Sequence, residues 1–144
     1  MKAFFDTSVL VPVFYGDHIH HQPSLDLFIR FNPSNASCGA HSLAEVYSTL
    51  TRMPGRDRVS AEQAMLFIGS IRDRLSVMAL TANEYADALD TFSELGIVGG
   101  AIYDALLARC AIKAKAEVIY TWNLRHYAPC GIEVARLLRT PLRS

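Results

Sequence analysis

Along this chain, short unbroken apolar runs alternate with stretches in which apolar residues recur every three or four positions, so short buried strands should alternate with helices. Ala3, Phe4 and Phe5 form the first apolar run, and Asp6, Thr7 and Ser8 follow it as a helix-starting triplet ahead of Val9, Leu10 and Val11. Leu25, Phe28 and Ile29 predict a helix over about residues 20–31, closed by Asn32, Pro33, Ser34 and Asn35. A short strand is expected near Ala36, Ser37 and Cys38. Ser42 then reads as the N-cap of a helix striped by Leu43, Val46, Tyr47 and Leu50 and stopped by Pro54 and Gly55.

A loop rich in arginine leads to Ser60, whose Glu62 and Gln63 resemble a helix start, and Ala64, Phe67, Ile68 and Ile71 continue the period. Val77 to Leu80 looks like a strand. Thr81 caps the next expected helix, with Tyr85, Ala88, Leu89 and Phe92 on one face, ending at Gly96. Gly99 and Gly100 separate it from an unusually apolar helix over about residues 101–116. Val118, Ile119 and Tyr120 form a β-branched run ended by Thr121, Trp122 and Asn123. Pro129 to Ile132 reads as loop, and the stretch after it has no clear period. Alternating elements of this kind predict an α/β fold with a largely parallel sheet and right-handed crossovers, with strand order left open.

With 144 residues, half of them apolar, the chain has enough material for one core, and residues 1–144 are expected to form one domain. Fourteen basic residues balance fourteen acidic ones, so any nucleic-acid partner must meet a local basic patch rather than a global field. The three cysteines, Cys38, Cys110 and Cys130, show no C-x-x-C spacing, which argues against a disulfide framework or zinc site and for a reduced, cytoplasmic setting. Asp6 interrupts the N-terminal apolar run before a signal-peptide core can form, and no run reaches the length of a membrane span.

Ligands of parallel α/β sheets bind beyond the carboxyl ends of the strands, and Asp6 and Asn123 each end one. Glu45 follows the second strand by about one helical turn. Asp104 opens an apolar helix, where an unpaired charge is expensive. Singly, these residues read equally well as a helix cap, an exposed charge and a first-turn acid. Gathered at one sheet edge they would repel one another, and a divalent cation is the usual remedy; oxygen-only ligands favour Mg²⁺ or Mn²⁺. Such an ion lowers the pKa of a water and neutralises charge on a phosphodiester, which is hydrolytic phosphoryl chemistry.

Four segments carry a family resemblance: Phe5-Asp6-Thr7-Ser8, Leu43-Ala44-Glu45, Tyr103-Asp104-Ala105-Leu106, and Thr121-Trp122-Asn123-Leu124-Arg125-His126-Tyr127. In order and spacing, over nearly the whole chain, the sequence resembles PIN-domain nucleases, specifically the VapC-type toxins of toxin–antitoxin pairs. The resemblance implies an α/β/α sandwich around a mostly parallel sheet and metal-dependent endonucleolytic cleavage of RNA. It also implies a cognate antitoxin and homodimer formation. It carries Asp6, Glu45 and Asp104 over as metal-holding acids, with Asn123 completing the catalytic set. Thr7, Ser8, Thr121, Arg125 and His126 are the expected RNA contacts or orienting groups. Asn123 departs from the carboxylate that many relatives place there; an amide accepts hydrogen bonds but brings no charge, so one well-held cation is expected.

The competing readings are a haloacid-dehalogenase-type phosphatase, which needs a second Asp where Ser8 stands, and a receiver-like domain, which needs an acidic pair after the first strand. A catalytically weakened PIN-like module that binds RNA or protein is the alternative within the same fold. His18, His20 and His21 cluster without metal-ligand spacing; Trp122 could stack on a base but, beside a buried strand, reads rather as packing; Arg52, Arg56 and Arg58 read as an exposed or phosphate-contacting loop. The apolar runs Val9 to Tyr15 and Met65 to Ile68 exceed what one small core requires, so part of them is expected to cover a partner or dimer surface.

Overall fold

The computed structural model describes residues 2–142. Five strands, β1 (Ala3–Phe5), β2 (Ala36–Gly39), β3 (Ser76–Met78), β4 (Val118–Tyr120) and β5 (Leu138–Arg139), form one sheet in the order β3-β2-β1-β4-β5. Every pairing is parallel. Parallel strands need crossovers, and the helices supply them: α1 (Thr7–Val13) and α2 (His21–Phe28) lead to β2, and α3 (Ala40–Thr51) and α4 (Ala61–Arg74) lead to β3. From there α5 (Ala82–Glu94) and α6 (Ala101–Lys113) carry the chain back across the sheet to β4, and α7 (Ile132–Ala135) precedes β5.

The period-2 geometry of a strand sends Phe4 and Phe5 to opposite faces. Phe5 joins Val9, Leu10, Val13, Phe28, Val46, Leu50 and Ile71, so α1 to α4 cover that face. Phe4 meets Leu107, Ala108, Ala111, Ile119, Tyr127 and Val134, so α6 and the segment after β4 cover the other. The fold is therefore the α/β/α sandwich that the resemblance implied, with the central strand buried on both faces.

Chain direction fixes where a ligand fits. From β1 the crossovers step outward through β2 to β3; the next one returns to pair β4 on the other side of β1. The crevice at such a reversal opens at the carboxyl ends of β1 and β4, where Asp6 and Thr121 stand.

Several boundaries differ from the sequence reading. The third helix starts at Ala40 with Gly39 at its N-cap, so Ser42 lies inside its first turn and is fully buried. Gly39 suits the site because a Cβ there would come within 2.6 Å of Leu107 Cδ2 on α6. The expected loop near Pro129 is the end of a 3₁₀ segment, Leu124–Cys130, and the aperiodic tail contributes α7 and β5. Ser60 and Thr81 do cap their helices, Thr81 in a reciprocal capping box with Glu84. Val9, Leu10 and Val13 fill the core rather than facing a partner, whereas Met65 and Leu66 are exposed. Among the described residues no helix is long and apolar enough to cross a membrane.

Candidate active site

Asp6 follows the central strand as the N-cap of α1, with Oδ2 accepting from the Ser8 backbone N–H at 3.1 Å. The same oxygen accepts from the Thr121 hydroxyl at 3.0 Å, and Oδ1 accepts from the Tyr127 hydroxyl at 2.5 Å. A carboxylate only 2% exposed is thus kept in place by three donors, one from the start of α1 and two from the segment after β4. Burial first, and then the Asp6 charge, pushes the Tyr127 hydroxyl far above its ordinary pKa, so it remains a proton donor.

Glu45 is reached through the first helix. The Thr7 hydroxyl lies 2.8 Å from Ser42 Oγ and 3.1 Å from Glu45 Oε1, which couples the start of α1 to α3. His41, one turn earlier on α3, approaches the same Glu45 oxygen at 3.7 Å and lies parallel to the Tyr103 ring, 5.2 Å between centroids. Tyr103 is next to Asp104, so this ring pair spans the gap between α3 and α6.

Asp104 stands in the first turn of α6. Its carboxyl is raised from 3.8 to about 6, chiefly by burial, then by the charge of Asp6, with Glu45 adding to the rise; His126 opposes it. His126 Nδ1 lies 3.5 Å from Asp104 Oδ2. Asp6 and Glu45 thus both act electrostatically on Asp104.

Ser8 and Thr121 brace that crevice from within. Their hydroxyls lie 3.2 Å apart, Ser8 Oγ accepts from the Trp122 backbone N–H at 2.9 Å, and Thr121 Oγ1 accepts from that of Asn123 at 2.9 Å. Thr121, expected among the RNA contacts, is fully buried and supports Asp6 instead. Asn123, Arg125 and His126 are exposed along the rim, and the Asn123 side chain makes no hydrogen bond among the described residues. Arg58 is occupied by the Met53 carbonyl at 3.0 Å, and Arg52 and Arg56 are exposed.

Tyr127 and Ser42 are the supporting residues that sequence reasoning missed. Tyr127 lay within the quoted motif, but nothing in its spacing from Asp6 signals a hydrogen bond; Ser42 was assigned to capping.

Among the described residues, no three His, Cys, Asp or Glu side chains converge into a ready-made cation cage. The donors do match a hard cation in kind: three carboxylates, hydroxyls behind them and no sulfur ligand, which suits an ion that keeps several waters and takes one or two carboxylates.

Comparison with known proteins agrees with this geometry. The PIN domain family model matches residues 3–130. Ribonuclease VapC40 of Mycobacterium tuberculosis is 33% identical over 120 residues, 83% of this chain and 85% of that protein. Ribonuclease VapC27 of the same organism is 32% identical over 114 residues, 78% and 79% of the two chains. Among solved structures, Mycobacterium tuberculosis VapC20, described as a sarcin–ricin loop cleaving toxin, superposes with a TM-score of 0.71 at 17% identity, covering 92% of this chain and 98% of that one. VapBC2 from Rickettsia felis, solved bound to a promoter DNA fragment, gives 0.65 at 19% identity, covering 97% and 98%. The chain belongs to the PIN-domain family, in its VapC-type ribonuclease branch.

Proposed function

We propose that this protein, a VapC-type endoribonuclease toxin, cleaves RNA by hydrolysis at a divalent cation, Mg²⁺ or Mn²⁺, held by Asp6 and Asp104 with Glu45 in support. The observation that supports this reading is the raised Asp104 carboxyl: burial first, then the Asp6 charge and, less, that of Glu45 disfavour its ionised form, a cost that a cation relieves. When bound, the cation supplies a nucleophile at neutral pH and stabilises charge on the phosphodiester.

The chain's own groups set the geometry. Thr121, Tyr127 and the Ser8 N–H leave Asp6 little rotational freedom, and Thr7 on α1 fixes the Glu45 carboxylate of α3. His126 stands beside Asp104 on the exposed rim, with Arg125 next to it, so an imidazole and a guanidinium meet the RNA backbone at the mouth. Asn123 at the same rim adds an acceptor without charge, which favours one well-held cation. A cognate antitoxin, a second copy of the chain and a cytoplasmic setting complete the reading.

The test is cleavage of structured RNA by purified protein with Mg²⁺ or Mn²⁺, with chelator, and with Asp6→Asn or Asp104→Asn. Loss of cleavage in the last three conditions is expected. Equal cutting by wild type and variants would refute the assignment, and binding without cutting would leave a PIN-like binding module.

A further inference from the structure

Beside the acid crevice lies a ring pair that the hydrolytic chemistry does not use. The His20 imidazole lies flat on the Trp122 indole, centroids 3.7 Å apart and planes within 7°. The two rings are held very differently. Trp122 is pinned by its backbone N–H to Ser8 Oγ and by its indole N–H to Oγ of the fully buried Ser24, both at 2.9 Å. The His20 imidazole has no hydrogen bond among the described residues, and the residue starts α2 without capping it. The His20 ring also meets that of His18, centroids 5.5 Å apart, and the His20 backbone N–H donates to His18 Nδ1 at 3.0 Å, so hydrogen bonds hold the indole whereas only ring contacts hold the imidazole.

We propose that the outer face of Trp122 is a stacking site for an unpaired base of the RNA substrate, and that His20 occupies it in the free protein as a displaceable stand-in. The separation and parallel planes are those of one aromatic ring stacked on another, and bases stack on aromatic side chains in this way whatever their sequence. Position supports the assignment. Trp122 lies between Thr121, which donates to Asp6, and the rim residue Asn123, and it is joined to the acid through Ser8 and Thr121. A strand crossing the acids therefore has a base within reach of the indole, while backbone contacts at Arg125 and His126 leave that base free. This inference rests on the ribonuclease reading and adds what selects single-stranded RNA at the site.

Trp122 is the sole tryptophan, so its emission reports on this face alone. The experiment titrates the full chain with a fluorescently labelled, uncleavable 2′-O-methyl oligoribonucleotide, following tryptophan emission and label anisotropy together; cleavage of ordinary RNA is measured in parallel. Saturable change in tryptophan emission with single-stranded RNA, and little with a duplex of the same sequence, is expected. Trp122→Leu should raise the oligonucleotide Kd at least about fivefold, the lower end for loss of one stacked base. His20→Ala should leave the Kd unchanged or lower it, because the stand-in no longer competes, and this variant keeps the reporter if the leucine variant fails to fold. RNA that binds and is cut without altering tryptophan emission, or a His20→Ala variant that binds tenfold more weakly, would overturn the stacking site alone. Absence of both binding and cleavage would overturn the ribonuclease reading and the stacking site with it.

Discussion

Replacing Asp104 with Asn should stabilise the cation-free protein while abolishing cleavage. The carboxyl is raised from 3.8 to about 6 by burial and by its acidic neighbours, so at neutral pH the folded state carries a charge it would rather shed. The sign follows from proton counts. Between the ordinary value and about 6, the folded protein holds a proton that the unfolded chain has released. Acidification through that window therefore favours the fold, and ionisation above it is a cost. A shift of about two pH units sets a ceiling of about 3 kcal/mol. The side chain remains 26% exposed, and solvent screening brings the expected gain to about 1–2 kcal/mol. Asparagine also gives up the His126 contact at 3.5 Å, an exposed pair worth less than about 1 kcal/mol. Urea unfolding in chelator, wild type against Asp104→Asn, measures the difference directly. The gap should be largest at about pH 7.5 and shrink as pH falls towards 4. A variant less stable than wild type at neutral pH, or a gap indifferent to pH, would refute the claim that burial and its acidic neighbours raise the Asp104 carboxyl.

Other perturbations separate support from chemistry. Tyr127→Phe removes the hydroxyl from Asp6 Oδ1 inside the core and should cost about 1.5–3 kcal/mol in urea unfolding, with cation affinity by calorimetry about tenfold weaker. Unchanged affinity would reduce Tyr127 to packing. Thr81→Ala dismantles the α5 capping box, far from the acids in the chain, and should lower stability by about 1 kcal/mol without changing the cleavage rate per folded molecule. Asn123→Asp adds a charge at the rim and should let calorimetry detect a second, weaker cation; a single ion of unaltered affinity would place residue 123 outside the site.

Much of the fold was legible because its central strands are short apolar runs and its crossover helices carry clear stripes. Ala3 to Phe5, Ala36 to Cys38 and Val118 to Tyr120 all became strands where the pattern put them. β5 was not legible: two edge residues have no period to show, and Leu138 and Arg139 are strand only because β4 pairs with them. Ser42 misled for a related reason. Its residue type suits a cap, but the helix begins earlier, at Ala40 with Gly39 as its cap against Leu107, and frees the Ser42 hydroxyl to meet Thr7. The three acids could be singled out from strand ends and the apolar setting of Asp104. Their scaffold could not, since Tyr127 reaches Asp6 across 121 positions and through a 3₁₀ segment without a recognisable signal. Trp122 was half legible: it does pack against the core, but the His20 ring stacked on its other side has no sequence signal.

The central claim is that one divalent cation sits among Asp6, Glu45 and Asp104 and drives cleavage. Crystals soaked in Mn²⁺, at a concentration that supports RNA cutting, locate that ion by its anomalous scattering. The account predicts a single strong peak at about 2.2 Å from carboxylate oxygens of Asp6 and Asp104, with Glu45 direct or one water away. A peak elsewhere, or none at these acids while the same preparation cuts RNA, would contradict it.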